Sequence, residues 1–274
     1  MKTKRKYENL KERLENMRKV AVAFSGGVDS TFLLRVCRDT LGKENVIAVT
    51  VKSPIRFEKD LENVKQLASD MGVRLIEVEV DELSDERFTK NDELRCYYCK
   101  SIDFSKIKEV ANIHGFEVVV DGTNYDDVRS DYRPGIRALR ELGIISPLRD
   151  SELTKDEIRR LSKELELPTW NRPPIGCCLA TRFRYGLQIT NEKIEKLRKI
   201  ENYLEKFELT LDRARYHDQN TIRIEVLPDE MNVILENRVD IVNFIKKQGF
   251  KYVSLDLEGY RTGSMNEEIG GSKK

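Results

Sequence analysis

The chain has 274 residues, with 49 Lys plus Arg against 48 Asp plus Glu and a net charge of +1. That length supports one large domain or two smaller ones, and the balanced charge gives no global pull toward nucleic acid or a membrane surface. No run approaches the ~18 apolar residues of a membrane span, the basic start Met-Lys-Thr-Lys-Arg-Lys lacks the apolar stretch of a secretory signal, and five cysteines fit a reducing cytoplasm without disulfides.

Residues 3–18 read as a charged amphipathic helix. Apolar, β-branched runs at 20–24, 46–51, 73–80 and 117–120 then alternate with helical segments from Ser30, over 58–71 and over 97–114. Each spacer is long enough for a crossover helix. The pattern therefore predicts an α/β fold, a doubly wound and mostly parallel sheet covered on both faces. Thr154-Lys155-Asp156-Glu157 is a capping box opening a helix to about Leu165. Pro168, Pro173 and Pro174 predict a loop over 168–186. After Thr190 the pattern changes to a helix over 191–206, alternating strands at 210–216 and 221–226, a helical stretch over 229–248 and a strand at 252–257. The predicted division is a first domain at 1–186, a smaller C-terminal α+β domain at 187–265, and a disordered polar tail at 266–274.

The run Ala23-Phe24-Ser25-Gly26-Gly27-Val28-Asp29-Ser30-Thr31 leaves a strand through a glycine turn and enters a helix. Glycines let the backbone approach a ligand closely, and the amides of a new helix favour an anion. The lysine and the glycine spacing of a Walker A loop are absent. The run instead resembles the SGGxDS loop of the PP-loop ATP pyrophosphatases, which cleave ATP to AMP and pyrophosphate. Ligands of open α/β sheets bind beyond the carboxyl ends of the strands. That rule gathers Ser25–Ser30, Val51-Lys52-Ser53 and Asp121-Gly122-Thr123-Asn124 around one crevice. Asp29 is a candidate to orient Mg²⁺ on the pyrophosphate or to position the loop, and Arg133 is a candidate phosphate ligand.

Cys37 reads as a small buried hydrophobe, whereas Cys96-x-x-Cys99 fits a zinc half-site, a redox pair or a cluster site. With Cys177 and Cys178 the chain offers up to four thiolates beside only two histidines. Three thiolates and an open position suit an iron–sulfur cluster, and four suit structural zinc. The residues alone leave both open.

Beyond the Ser25–Ser30 loop, Cys96-Tyr97-Tyr98-Cys99-Lys100, Asp121-Gly122-Thr123-Asn124, Asp131-Tyr132-Arg133-Pro134-Gly135, Cys178-Leu179-Ala180-Thr181-Arg182, Tyr185-Gly186 and Asp256-Leu257-Glu258-Gly259-Tyr260-Arg261-Thr262-Gly263 occur in order. Together they resemble the LarE family of ATP-dependent sulfur transferases over nearly the whole chain. The resemblance implies adenylation of a carboxylate on a pyridinium biscarboxylic acid mononucleotide, a precursor of a nickel-pincer cofactor, followed by displacement of AMP by sulfur. It implies ATP and Mg²⁺ held by Ala23, Ser25, Gly26, Gly27, Val28, Asp29, Ser30, Val51, Gly122, Asn124 and Arg133. Some members sacrifice a cysteine sulfur and keep dehydroalanine; others hold a [4Fe-4S] cluster on three cysteines. Cys96, Cys99 and a loop cysteine place this chain with the second group, with Cys178 preferred as third ligand and Cys177 in the register of the sacrificial cysteine. The resemblance also implies Arg182, Arg213, Arg215 and Arg261 as groups for the substrate phosphate, with Glu201 and Glu225 orienting them within the chain or across a subunit interface. A cytoplasmic homo-oligomer, a hexamer by family resemblance, is expected. The sulfur donor stays open. A tRNA thiolation enzyme of the PP-loop class is the alternative; an amidotransferase-like synthetase would leave the loop cysteines idle, and a non-catalytic nucleotide sensor would leave both loop and cysteines unexplained.

Overall fold

The computed structural model describes residues 2–128, 134–172 and 178–267. Packing divides the chain into two compact units, Met1–Glu82 with Cys96–Gly176, and Leu83–Arg95 with Cys177–Lys274. The first unit opens with α1 (Lys2–Met17), β1 (Val20–Ala23), α2 (Val28–Leu41), β2 (Val46–Lys52), α3 (Glu58–Asp70) and β3 (Arg74–Glu79). After α4 (Glu86–Thr89), which groups with the second unit, come α5 (Arg95–Ile113), β4 (Val118–Val120), α6 (Pro134–Glu141), α7 (Pro147–Asp150) and α8 (Lys155–Glu164). The strands lie in the order β3-β2-β1-β4 and all pair in parallel.

Alternation along the strands builds two core layers. Val20, Val22, Val46 and Ala48 cluster with Leu10 and Leu14 of α1, Phe32 of α2 and Ile158 of α8. Their neighbours Ala21, Ile47, Val49 and Val51 cluster instead with Phe104, Ile107 and Ala111 of α5. The chain moves outward from β1 to β3 and returns on the other side with β4. The strand order therefore reverses between β1 and β4, where an open α/β sheet places its ligand.

The predicted capping box is present in both directions: Glu157 N donates to Thr154 Oγ1 at 3.3 Å and Thr154 N to Glu157 Oε2 at 3.1 Å. The same carboxylate accepts from Lys6 Nζ at 2.7 Å and Thr3 Oγ1 at 3.0 Å, clasping α1 to α8. Burial raises the Glu157 pKa, but Lys6, the Thr154 amide and Thr3 outweigh it and hold it at about 2. The folded value is depressed, so the stabilisation is present above the ordinary 4.5 and is lost as pH falls toward 2. Glu157→Gln is expected to cost about 1–2 kcal/mol at pH 7 after allowance for solvent screening. Denaturant titrations of both proteins at pH 7 and near pH 3 should show that difference shrinking with acid; a pH-independent difference would remove the ion pair from the account.

The second unit contains α9 (Asn191–Leu204), β5 (Asp212–Tyr216), β6 (Thr221–Val226), α10 (Met231–Glu236), α11 (Arg238–Lys247) and β7 (Tyr252–Leu255). Its sheet order is β5-β6-β7, with β5 antiparallel and β7 parallel to β6. Ile194, Leu197, Ile200 and Leu204 form the buried stripe of α9. The helical stretch predicted over 229–248 is two helices, broken at Asn237, whose amide donates to Val233 O at 2.8 Å and competes with the helix backbone.

The unit boundary differs from the predicted one at residue 186. Residues 178–186 group with the second unit, as does Leu83–Arg95. Asn91 explains this grouping. It is buried with φ 58°, a left-handed conformation that Asn tolerates. Its amide donates to Arg184 O at 2.7 Å and Leu187 O at 2.9 Å, and Asn91 Oδ1 accepts from Arg95 Nη1 at 2.6 Å. Arg95 also reaches Ala180 O at 2.9 Å. Ser264–Asn266 form a short 3-10 turn, and residues 268–274 of the predicted tail lie outside the described residues.

Candidate active site

The Ser25–Ser30 segment links β1 to α2 at the switch point of the first unit. Gly26 has φ +73°, and a Cβ there would come within 2.9 Å of Val64 Cγ2, so the turn requires glycine. Gly27 caps α2 without a side-chain bond to its first amides, leaving an N-terminus suited to anionic oxygens. Ser25 Oγ and Ser30 Oγ lie 3.1 Å apart, and Ser30 Oγ donates to Gly27 O at 3.3 Å, which ties the turn on itself. After β4, Gly122 passes so close that an added Cβ would sit 3.0 Å from Ser30 N. Ala23 ends β1, Val51 is buried in β2, and Asn124 Oδ1 accepts from the amides of Asp126 and Asp127 at 2.9 and 3.2 Å. Asp121 is buried and accepts from Ser146 Oγ and Thr123 Oγ1. Burial raises its pKa against those bonds.

Asp29 lies in the first turn of α2, and its Oδ2 accepts from Lys155 Nζ at 2.6 Å. Its Oδ1 is buried with no hydrogen-bond partner. Burial raises the Asp29 pKa, opposed by Lys155. Lys155 is not among the expected site residues: it follows the capping threonine and reads as the start of a helix. It stands 126 positions from Asp29.

The second unit holds the expected arginines. Arg182 Nε and Nη2 bind Glu201 Oε1 and Oε2 at 2.8 and 3.2 Å, a buried fork. Glu201 Oε1 also accepts from Ala214 N at 3.0 Å. Arg215 Nη2 binds Glu225 Oε2 at 2.6 Å, and Arg223 Nη2 binds Glu225 Oε1 at 2.9 Å. Arg215 and Arg223 are directly opposed across β5 and β6, and Glu225 bridges these like charges. Ser264 Oγ donates to Glu225 at 3.0 Å. Both glutamates therefore hold their arginines within one chain. Arg213 lies over the Tyr260 ring at 5.7 Å, and Arg261 pairs with Glu258 and Glu267 at 2.9 and 2.5 Å.

Cys96 and Cys99 lie one turn apart on α5, and Cys178 caps the 3-10 helix Leu179–Arg182. None of these three, nor buried Cys37, is in a disulfide. Beside Cys99, burial and then the neighbouring Asp103 charge push Glu82 up to about 7. Arg133 and Cys177 lie outside the described residues.

A sequence model of the NAD synthase family matches residues 4–97. Over 96% of this chain and 98% of the relative, the chain is 38% identical to an uncharacterized protein of Synechocystis sp.. It is 33% identical to the pyridinium-3,5-bisthiocarboxylic acid mononucleotide synthase of Lactiplantibacillus plantarum, over 93% of this chain and 92% of that enzyme. The chain belongs to the LarE family. It is thus an ATP-dependent sulfur-transferring enzyme of the PP-loop class, with the ATP and Mg²⁺ requirement of that class. The glutamine-hydrolyzing GMP synthase of Thermotoga maritima is 30% identical over 78% of this chain and 45% of its own length. That third likeness covers less than half of the synthase, so it relates this chain to part of a larger enzyme. No helix among the described residues is long and apolar enough to cross a membrane.

Proposed function

We propose that this chain converts a pyridinium biscarboxylic acid mononucleotide to its thiocarboxylate, in a route to a nickel-pincer cofactor. The observation that carries this reading is the 33% identity to the synthase of Lactiplantibacillus plantarum across nearly the full length of both chains. A substrate carboxylate oxygen attacks the α-phosphorus of ATP, the bond to the bridging oxygen breaks, and pyrophosphate leaves. Sulfur then forms a bond to the acyl carbon, and AMP leaves with the former carboxylate oxygen. AMP is a good leaving group and a sulfur anion a strong nucleophile.

The amides after Gly27 and the Ser25 and Ser30 hydroxyls would hold the ATP phosphates, with Arg133 as a further phosphate ligand, while Ala23, Val51, Gly122 and Asn124 line the nucleotide's crevice. The orphaned Asp29 Oδ1 fits Mg²⁺, which prefers hard oxygen ligands and would neutralise charge on the leaving pyrophosphate. Arg213 and Arg261 would receive the substrate phosphate, and Arg182 and Arg215, held in place by Glu201 and Glu225, would offer it their remaining N–H groups. Cys96 and Cys99, one turn apart on α5, fit as two thiolate ligands of a [4Fe-4S] cluster. Cys178 would be the third ligand, with Cys177 as neighbour or sacrificial donor. When bound, such a cluster would supply sulfide. The enzyme would work as a cytoplasmic homo-oligomer.

Anaerobically purified protein should carry about four irons per chain. Cys96→Ala, Cys99→Ala and Cys178→Ala should each lose them, and Cys177→Ala should keep them. Incubation with ATP and the biscarboxylate mononucleotide should form AMP, pyrophosphate and a product with sulfur in place of oxygen. Iron-free protein that loses one sulfur from its own mass on turnover would establish the sacrificial route instead. ATP cleavage that answers only to tRNA would replace the proposed acceptor.

A further inference from the structure

Beside Cys99 lies a buried acidic cluster that the chemistry above does not use. Glu82, just after β3, and Asp103, on α5, are 0% and 1% exposed. Ser53 Oγ donates to Glu82 Oε2, and Arg56 Nη2 donates to Asp103 Oδ2 at 2.6 Å. Cys99 Sγ lies 3.8 Å from that same Asp103 oxygen. The remaining oxygens, Glu82 Oε1 and Asp103 Oδ1, are buried with no hydrogen-bond partner. One ligand atom from each of Glu82, Cys99 and Asp103 lies within 4.8 Å of the others.

Burying two carboxylates against one guanidinium is costly unless something else balances the charge. We propose that, in the cluster-free chain, Glu82, Cys99 and Asp103 bind one divalent cation of borderline softness, Zn²⁺ or Fe²⁺. Two carboxylate oxygens and one thiolate bring three negative charges; Arg56 and the cation bring three positive ones. The thiolate disfavours Mg²⁺ and Ca²⁺, which take all-oxygen shells. Tetrahedral zinc with ordinary Zn–S and Zn–O bonds separates its ligand atoms by about 3.4–3.6 Å. Atoms within 4.8 Å of one another thus need to close by about 1 Å, a change that side-chain torsions supply. Three protein ligands leave a position for water or a substrate atom, as in catalytic zinc sites. Cys99 cannot serve this cation and a cluster iron together, so the two occupancies exclude each other. The site stands whether or not the acceptor proposed above is correct.

Co²⁺ titration of the chelator-stripped, reduced full-length chain tests this. One equivalent should produce intense visible d–d bands and a thiolate-to-cobalt charge-transfer band. Cys99→Ala should abolish the charge-transfer band. Glu82→Gln and Asp103→Asn should each weaken binding at least about tenfold. Cys96→Ala and Cys178→Ala should bind as the parent does. Bands that need Cys96 or Cys178 and ignore the carboxylates would overturn the proposal, as would failure to take up one equivalent. If the carboxylate variants do not fold, X-ray absorption of Zn²⁺ on the parent chain decides. One sulfur with oxygen neighbours supports the site, and three or four sulfurs refute it.

Discussion

Asp29→Asn is expected to lower ATP-dependent pyrophosphate formation by about 10²–10³-fold with the fold intact. The carboxylate is half-buried in the first turn of α2, with Lys155 Nζ at 2.6 Å from one oxygen and no hydrogen-bond partner on the other, which is the buried one. Burial raises its pKa in spite of the lysine, so holding this charge works against folding. Function is the economical reason to keep it. Asparagine preserves the size and an oxygen for Lys155 but removes the charge that would hold Mg²⁺ at the phosphates. Pyrophosphate release at saturating ATP and Mg²⁺, beside thermal melting, separates the two effects. Activity close to the parent's would take the metal away from Asp29 and leave it a partner for Lys155.

Glu225→Ala should be the most damaging single change in the second unit, at about 3–5 kcal/mol. Glu225 is fully buried, sits between Arg215 and Arg223, and accepts from both as well as from Ser264. Its loss leaves two opposed guanidinium groups without their common anion. Arg213→Ala, by contrast, removes a partly exposed group and should cost at most ~1 kcal/mol of stability, while raising the KM for the mononucleotide. Denaturant unfolding and steady-state kinetics on both variants check this. A stable Glu225→Ala protein would mean that Arg215 and Arg223 find other partners; an unchanged KM in Arg213→Ala would remove that arginine from the phosphate site.

The parallel sheet is legible because β1, β2 and β4 are short apolar, β-branched runs buried on both faces, and helices fill the gaps between them. The Ser25–Ser30 loop and the Thr154 capping box are legible because local chemistry alone sets their form. Leu83–Arg95 is not: it is polar and aperiodic, and its place is set by Asn91 and Arg95 bonds to residues about 90 positions away. Pro134 stands at the first position of α6, a helix-start signal inside a run that otherwise reads as polar and turn-rich. Lys155 is hidden by a competing local role, since the residue after a capping threonine needs no further explanation. In the second unit, the arginines are legible as residues, but the pairing of Arg182 and Arg215 with buried carboxylates requires the fold.

Because Leu83–Arg95 belongs to the second unit while Cys96–Gly176 returns to the first, each unit is made of two separate pieces of chain. During synthesis the second unit cannot be finished until residues from 177 onward emerge, although its first piece is made before the first unit is complete. β1 keeps one open edge until Val118–Val120 emerges, and Gly122 reaches the Ser25–Ser30 turn only after that. The nascent chain thus holds residues 83–95 in waiting until residues from 178 onward arrive to receive Asn91. A protease that cuts once after residue 176 leaves both pieces of the first unit on one fragment but parts residues 83–95 from the rest of the second.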